Sequence, residues 1–175
     1  MKQGRDEIDD TELVYGLASA SAAVPADPGA LLRARITRSF ARGGRYGRFA
    51  DRMARLFDLP LERAEALLAR IEDPSVFVPF TVEGVRMHYF RPGPKYAGAI
   101  AAFGRLDPGV HFPEHGHVGD ETTYVLDGGF RDHDAREVWR GEELFKPAGS
   151  SHDFVVIGGE VCVAAVLAIG GIELR

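Results

Sequence analysis

The sequence predicts a mainly β domain preceded by an α-helical arm. Apolar residues before residue 75 recur at three- and four-residue intervals, as Phe49, Met53 and Phe57 do, which is the spacing of one helix face. After residue 75 the apolar runs are short and are separated by glycine and proline, as is typical of strands. We therefore expect a helical region over residues 1–75 and a β domain over residues 76–175.

The helical arm contains recognisable start and stop signals. Asp27-Pro28 predicts a helix start, because aspartate is a favoured N-cap and proline fits the first helical position. Gly43-Gly44 predicts the end of that helix. Asp58-Leu59-Pro60 repeats the start signal and separates two short helices, over residues 46–57 and 60–72. With an earlier helix before a linker at residues 19–29, the arm is predicted to hold four helices.

The β domain has four segments that we predict as strands. The last of them is the longest apolar stretch of the chain, and it is too short to cross a bilayer as a helix. We interpret it as a buried strand and expect no membrane contact. The segments are residues 84–90, 96–106, 121–126 and 161–169.

Composition restricts the class of protein. A chain of 175 residues with 45% hydrophobic content can fill one core. Its net charge of −5 argues against general affinity for nucleic acid. The single cysteine, Cys162, excludes an internal disulfide framework, and no signal peptide is apparent. We expect a cytoplasmic protein.

Three histidines and a glutamate form the most specific pattern in the chain. His115, His117 and Glu121 share parity, so on a strand they can point the same way. Pro147 and the glycine two residues later predict a turn that brings His152 back toward them. Imidazole and carboxylate ligands suit a divalent transition metal, with zinc expected first and nickel, iron or manganese as alternatives.

The spacing of these residues resembles the paired motifs of the cupin superfamily, G(X)5HXH(X)3E(X)6G and G(X)5PXG(X)2H(X)3N. Every position of the first motif is matched between Gly109 and Gly128. The second departs at its last position, where Val156 stands in place of asparagine. The resemblance covers about residues 84–172. It implies a double-stranded β-helix, or jelly-roll barrel, with one metal ion held by His115, His117, Glu121 and His152.

Three further residues are candidates for lining the pocket. His111 shares parity with His115 and so could face the barrel interior, or it could lie on the rim. Phe154 shares parity with His152 and could line the pocket or belong to the core. Val156 would make the wall beside the metal apolar. A small-molecule ligand inside the barrel is expected.

The order of helical arm and cupin resembles ChrR-type anti-sigma factors. The resemblance rests on residues 13–36, LVYGLASASAAVPADPGALLRARI, and on the cupin from Gly84 onward. It implies a regulator whose helical arm binds a sigma factor and whose cupin senses oxidative chemicals or other small molecules. The family's N-terminal half usually holds a second zinc through a histidine and paired cysteines. Here no histidine precedes His88, and that motif is absent.

Two classes of function follow from these patterns. In the first, the metal is a structural or sensing centre and the arm binds a protein. In the second, the metal keeps open positions for a substrate, as in cupin dioxygenases that cleave diketones or flavonols. The resemblance favours regulation. A homodimer is expected in either case, because small barrels present sheet edges that are usually covered or paired.

Arginine is concentrated in one stretch of the arm. Eight arginines fall between Arg33 and Arg55, against the single acid Asp51. They can lie on solvated helix faces and form ion pairs within the chain. Alternatively, they form a docking surface for an acidic partner, a role in which nucleic acid is the weaker candidate.

Overall fold

The structure is a computed structural model. It divides the chain into two units, Met1–Arg35 and Ile36–Arg175. In the first unit the Asp27 carboxylate accepts a hydrogen bond from the Gly29 backbone N–H, at 2.8 Å, as an N-cap does. The linker over residues 19–26 and the helix predicted before it lie outside the described residues. The described residues are 44–175, together with Asp27, Gly29, Ala30, Arg33, Ala34 and Thr37.

From Gly44 onward the second unit begins with two short helices. A 3-10 turn, Gly44–Phe49, runs into α1 (Ala50–Phe57), and α2 (Leu61–Arg70) follows. The predicted helix pair is confirmed, with small differences at the ends. Asp58 has a different role from the one expected. It adopts a left-handed conformation, φ 56°, that ends α1, whereas Pro60 occupies the N-cap position of α2.

Within the described residues, eleven strands follow the helices, and all their pairings are antiparallel. The predicted switch from helix to strand near residue 75 is confirmed. The strands are β1 (Val78–Pro79), β2 (Val85–Phe90), β3 (Ile100–Leu106), β4 (His111–His117), β5 (Glu121–Asp127), β6 (Gly129–Asp132), β7 (Glu137–Trp139), β8 (Glu143–Lys146), β9 (Ser151–Ile157), β10 (Cys162–Ala168) and β11 (Ile172–Leu174).

The strands form two sheets that pack face to face. A six-stranded sheet has the order β1-β2-β3-β10-β5-β8, and a five-stranded sheet has the order β11-β4-β9-β6-β7. Apolar side chains from both sheets meet between them, among them Val125, Phe130 and Val156. The mainly β, cupin-like architecture expected from the sequence is confirmed.

The six-stranded sheet is apolar on both faces. On β10, Val163, Ala165 and Leu167 pack against the helices in one core with Phe57 and Leu68. The alternate residues of β10 face the other sheet, because strand side chains alternate between faces. The change from helix to strand falls between α2, which ends at Arg70, and β1, which begins at Val78, and α1 and α2 share their core with the sheet.

No helix in the part of the chain that the structure describes is both long enough and apolar enough to cross a membrane.

Candidate metal centre

Three strands bring the four predicted ligands together. His115 and His117 lie on β4, Glu121 begins β5, and His152 lies on β9 directly opposite His115. All four are buried, with at most 6% of the residue surface exposed. One ligand atom from each residue lies within 4.8 Å of the others. The fold therefore brings these four side chains together.

Each histidine is oriented by an oxygen atom that faces its Nδ1. The His115 Nδ1 lies 3.0 Å from the Pro113 carbonyl oxygen, and the His117 Nδ1 lies 3.1 Å from the Ser150 carbonyl oxygen. The His152 Nδ1 lies 2.5 Å from Asp132 Oδ1. Carbonyl and carboxylate oxygens accept, so each Nδ1 carries the proton and each Nε2 keeps a free lone pair.

The Nε2 atoms of His117 and His152 are buried and have no hydrogen-bond partner. A buried polar atom without a partner costs free energy, and a metal ion removes that cost by accepting the lone pair. The His117 Nε2 also lies 3.8 Å from a carboxylate oxygen of Glu121. The residues present therefore fit a metal ion bound by three nitrogens and one carboxylate.

Burial sets the charge state of the cluster. It lowers the pKa values of His117 and His152 and lowers that of His115 to about 4, so all three rings are neutral at pH 7. Burial raises the pKa of Glu121 to about 7, opposed by a hydrogen bond from the Thr123 hydroxyl. A bound cation stabilises the ionised carboxylate, so the site as a whole favours a divalent ion.

Asp132 is a site residue that the sequence analysis missed. It is buried at the end of β6, where it accepts hydrogen bonds from the His152 Nδ1 and, at 2.5 Å, from the Lys146 Nζ. Although burial acts to raise it, these bonds hold the pKa of Asp132 below its usual range. No local motif marks this residue, because the contact depends on the pairing of β6 with β9.

An apolar cavity of about 100 Å³ adjoins the cluster. His115 and Glu121 form part of its wall, and Phe154 lies in the lining, as one of its two expected positions. The Phe154 ring stacks on Phe112, with ring centroids 5.1 Å apart. A ligand in this space would lie beside both aromatic rings and beside His115 and Glu121.

Of the two positions expected for His111, interior or rim, the structure shows an exposed one, and Val156 lies outside the lining of this cavity. A β-bulge between Phe112 and His115 shifts the register of β4 against β9, so the parity of His111 no longer matches that of His115. His111 is exposed and pairs with Asp153 at 2.6 Å. Val156 is buried opposite Phe130 in the core between the sheets.

Two arginines of the arm pair with carboxylates of the barrel. Arg45 pairs with Asp127 and Arg52 with Glu143, while Arg48 lies over the ring of Phe49. The Arg45 and Arg52 contacts are intramolecular ion pairs, which is the first of the two interpretations given for the arginine stretch. Arg33 pairs with Asp27 of the arm, whereas Arg35, Arg38 and Arg42 lie outside the described residues.

Comparison with known proteins assigns the family. The model of the ChrR Cupin-like domain family matches residues 69–168. No match is found among curated proteins. Among solved structures, the chain is similar to the Rhodobacter sphaeroides complex of SigE with the anti-sigma ChrR, at 29% identity and a TM-score of 0.49. That alignment covers 57% of this chain and half of the other chain.

A second solved structure shares the fold. The acetylacetone dioxygenase of Acinetobacter johnsonii aligns at 14% identity with a TM-score of 0.51. The alignment covers 58% of this chain and 73% of the dioxygenase chain.

Proposed function

Because the chain belongs to the ChrR cupin-like domain family, we propose that it is a cytoplasmic regulator of this type. Its barrel binds one divalent transition metal ion and a small molecule, and its helical arm binds a sigma factor. The observation that carries the proposal is the convergence of three neutral imidazoles and one carboxylate in a buried cluster.

His115, His117, His152 and Glu121 would hold the metal. Three neutral nitrogens and one carboxylate suit zinc, and they also accommodate nickel, iron or manganese. The ion would supply a positive charge and a Lewis acid inside an apolar cavity. The oxygen atoms opposite each Nδ1 fix the rings with Nε2 toward the centre, so the cluster is organised before the ion binds.

Strand β10 supports a regulatory role, because it contacts both the cavity and the helices. Ala164 and Val166 line the cavity, while the neighbouring Ala165 and Leu167 pack in the core with α1 and α2. A ligand that shifts this strand changes the packing of the helical layer as well. The arm would then report the state of the barrel to its partner.

The arm is the proposed partner surface, with its arginine stretch facing an acidic region of the sigma factor. Arg45 and Arg52 pair with carboxylates of the barrel, so an acidic partner would compete with these internal pairs. The arm lacks the histidine and paired cysteines of the family's usual second zinc site. Binding would therefore depend on charge and helix packing and not on a second zinc.

Elemental analysis of the purified full-length chain tests the metal centre. We expect about one transition-metal ion per chain, lost in the double variant His115→Ala/His117→Ala. The variant His111→Ala is the control, because His111 is exposed and belongs to neither cluster of possible metal ligands. Undiminished metal in the double variant would refute the ligand assignment.

Capture of a sigma factor by the full-length chain tests the regulatory role. The triple variant Arg35→Glu, Arg38→Glu and Arg42→Glu should slow association and flatten its salt dependence without changing metal content. The same charge change at Arg91, Arg140 and Arg175 is the control, since these exposed arginines belong to the barrel. Equal association rates for the two triple variants would contradict binding through the arm.

A metal-dependent dioxygenase is the alternative function, favoured by the apolar cavity that contacts His115 and Glu121. Four protein ligands leave two positions open on an octahedral ion. Oxygen uptake by iron-loaded protein with a diketone or flavonol would favour this alternative. Absence of uptake, together with sigma-factor capture, would favour regulation.

A further inference from the structure

The cavity beside the cluster exists because the six-stranded sheet carries small residues on its inner face. Gly104 on β3 and Ala164 and Ala168 on β10 line it. Gly104 and Ala164 are paired neighbours across the two strands. Larger side chains at these positions would fill the space, since protein interiors are otherwise closely packed. The sequence therefore leaves about 100 Å³ open beside the site.

Aromatic rings form the opposite wall. Phe80 stacks on Phe112, with centroids 5.8 Å apart and an interplanar angle of 18°. Phe112 in turn stacks on Phe154, and Phe130 contacts Phe154 at 4.8 Å between centroids. Rings packed on one another resist displacement, so this wall sets a limit on ligand size.

Hydrogen-bonding and ionisable groups are few in the lining. The side chains of this kind that line it are Tyr89, His115, Glu121, Thr123 and Cys162. The Thr123 hydroxyl donates a hydrogen bond to the Glu121 carboxylate. With three neutral histidines and one carboxylate, a divalent ion leaves a net charge of +1. An anionic oxygen donor would neutralise that charge, whereas a cation would be repelled.

Tyr89 and Ile100 are exposed residues of the cavity lining. Both line it, yet they are 48% and 40% exposed. The cavity therefore comes nearest to solvent at one tyrosine and one isoleucine side chain.

We propose that this cavity binds a small monoanion with a carboxylate-type head and a compact apolar tail of about three to five carbon atoms. The size follows from comparison with cavities of roughly 150 Å³, which accommodate the six carbon atoms of benzene. The head would lie on the metal and the tail between the aromatic wall and the small residues of the sheet. The head group rests on the proposed metal centre, whereas the tail rests on the cavity alone.

Calorimetric titration of zinc-loaded full-length protein with straight-chain carboxylates, from acetate to octanoate, tests the size limit. Each added CH₂ group that enters the cavity should tighten binding about fourfold, from roughly 0.8 kcal/mol per buried CH₂. The gain should stop near hexanoate, where the space is full. A steady gain through octanoate, or no dependence on length, would overturn the proposal.

A matched pair of variants on β10 tests the location. Ala164→Val adds two methyl groups inside the cavity, while Ala165→Val adds the same groups on the opposite face of the strand. We expect the first to weaken pentanoate binding at least tenfold with little effect on acetate, and the second to change neither. Phe154→Leu, which enlarges the cavity, should move the length limit beyond hexanoate. Pentanoate binding that all three variants leave unchanged would place the ligand elsewhere.

Removal of the metal separates the two parts of the proposal. Loaded protein should prefer pentanoate to pentanol, and metal-free protein should lose that preference but keep the dependence on chain length for alcohols. Equal pentanoate affinity with and without metal would refute the head-group assignment. If elemental analysis finds no metal in the protein at all, the metal centre of the proposed function fails, and the alcohol series still decides whether the cavity binds apolar tails.

Discussion

The carboxylate of Asp132 accepts the Nδ1 proton of a histidine twenty residues away in sequence. The same carboxylate accepts a hydrogen bond from the Lys146 Nζ, so a buried charge network supports one side of the cluster. Such outer contacts hold the ring in place and raise the basicity of its other nitrogen. At the residue scale, the properties of the site depend on these supporting groups as well as on its four candidate ligands.

Asp132→Asn should weaken metal binding about 10- to 100-fold, because the neutral amide is a poorer acceptor for the His152 Nδ1 proton. Competition of the protein with a chromogenic chelator measures the affinity. Asp134→Asn is the matched control, since Asp134 is exposed and accepts a hydrogen bond from the backbone N–H of Arg136. The same affinity in the two variants would show that Asp132 has no role in holding His152.

The Cys162 thiol should be inert in the folded protein. The side chain is fully buried, and burial raises the pKa of this thiol to about 12. A pH of 8 is about four units below that pKa, so only about one thiol in ten thousand is the reactive thiolate. We expect no labelling by iodoacetamide until guanidinium unfolds the chain, after which one equivalent should react. Rapid labelling of native protein, read by mass spectrometry, would contradict this burial.

At the scale of elements, the six-stranded sheet separates two environments. Its inner face contacts the cavity and the second sheet, and its outer face packs against α1 and α2. Phe57 of α1 is fully buried on the outer side, with its ring 4.8 Å from Phe90 and 6.1 Å from Phe103 between centroids. The helices are therefore part of the core and not a detachable addition to the barrel.

Phe57→Ala should lower the free energy of unfolding by about 3–5 kcal/mol, as expected for a large cavity in a packed core. Because the helices and the sheet share this core, both should unfold in one transition. Guanidinium titration followed by circular dichroism and by Trp139 fluorescence measures both events. Leu61→Ala, at a partly exposed position of α2, should cost much less. Two separate transitions in the wild-type chain would argue against a common core.

At the scale of the whole molecule, the two sheets leave edge strands unpaired within the described chain. The edges of the six-stranded sheet are β1 and β8. The two-residue β1 ends in Pro79, which lacks a backbone N–H, so it is a poor edge for pairing. The four-residue β8 instead presents Phe145, which is 53% exposed. An exposed apolar edge favours association.

We predict that the protein is a homodimer that pairs through β8. Sedimentation equilibrium at micromolar concentration should give twice the 19.1 kDa mass of one chain. Phe145→Lys should shift the equilibrium toward monomer, while Val78→Lys, on the opposite edge of the sheet, should leave it unchanged. A wild-type chain that sediments only as monomer would refute the prediction.

The amino-acid sequence by itself determined the two helices, the switch to strands and the spacing of the four candidate ligands. These features depend on local rules, namely apolar periodicity, turn residues and the alternation of side chains on a strand. The side chains of His115 and His117 point to the same side of β4 because only one residue separates them. The positive φ angles of Gly109 and Gly128 likewise follow from a residue type that tolerates them.

The tertiary structure alone decided the surroundings of those ligands. The bulge in β4 reverses the facing of His111, because an inserted residue breaks the parity that a sequence argument assumes. Asp132 reaches His152 through the pairing of β6 with β9, and Arg52 reaches Glu143 through the packing of helix on sheet. Contacts between residues distant in sequence depend on strand order and register. Local sequence patterns do not specify these, because many strand orders bury the same apolar residues.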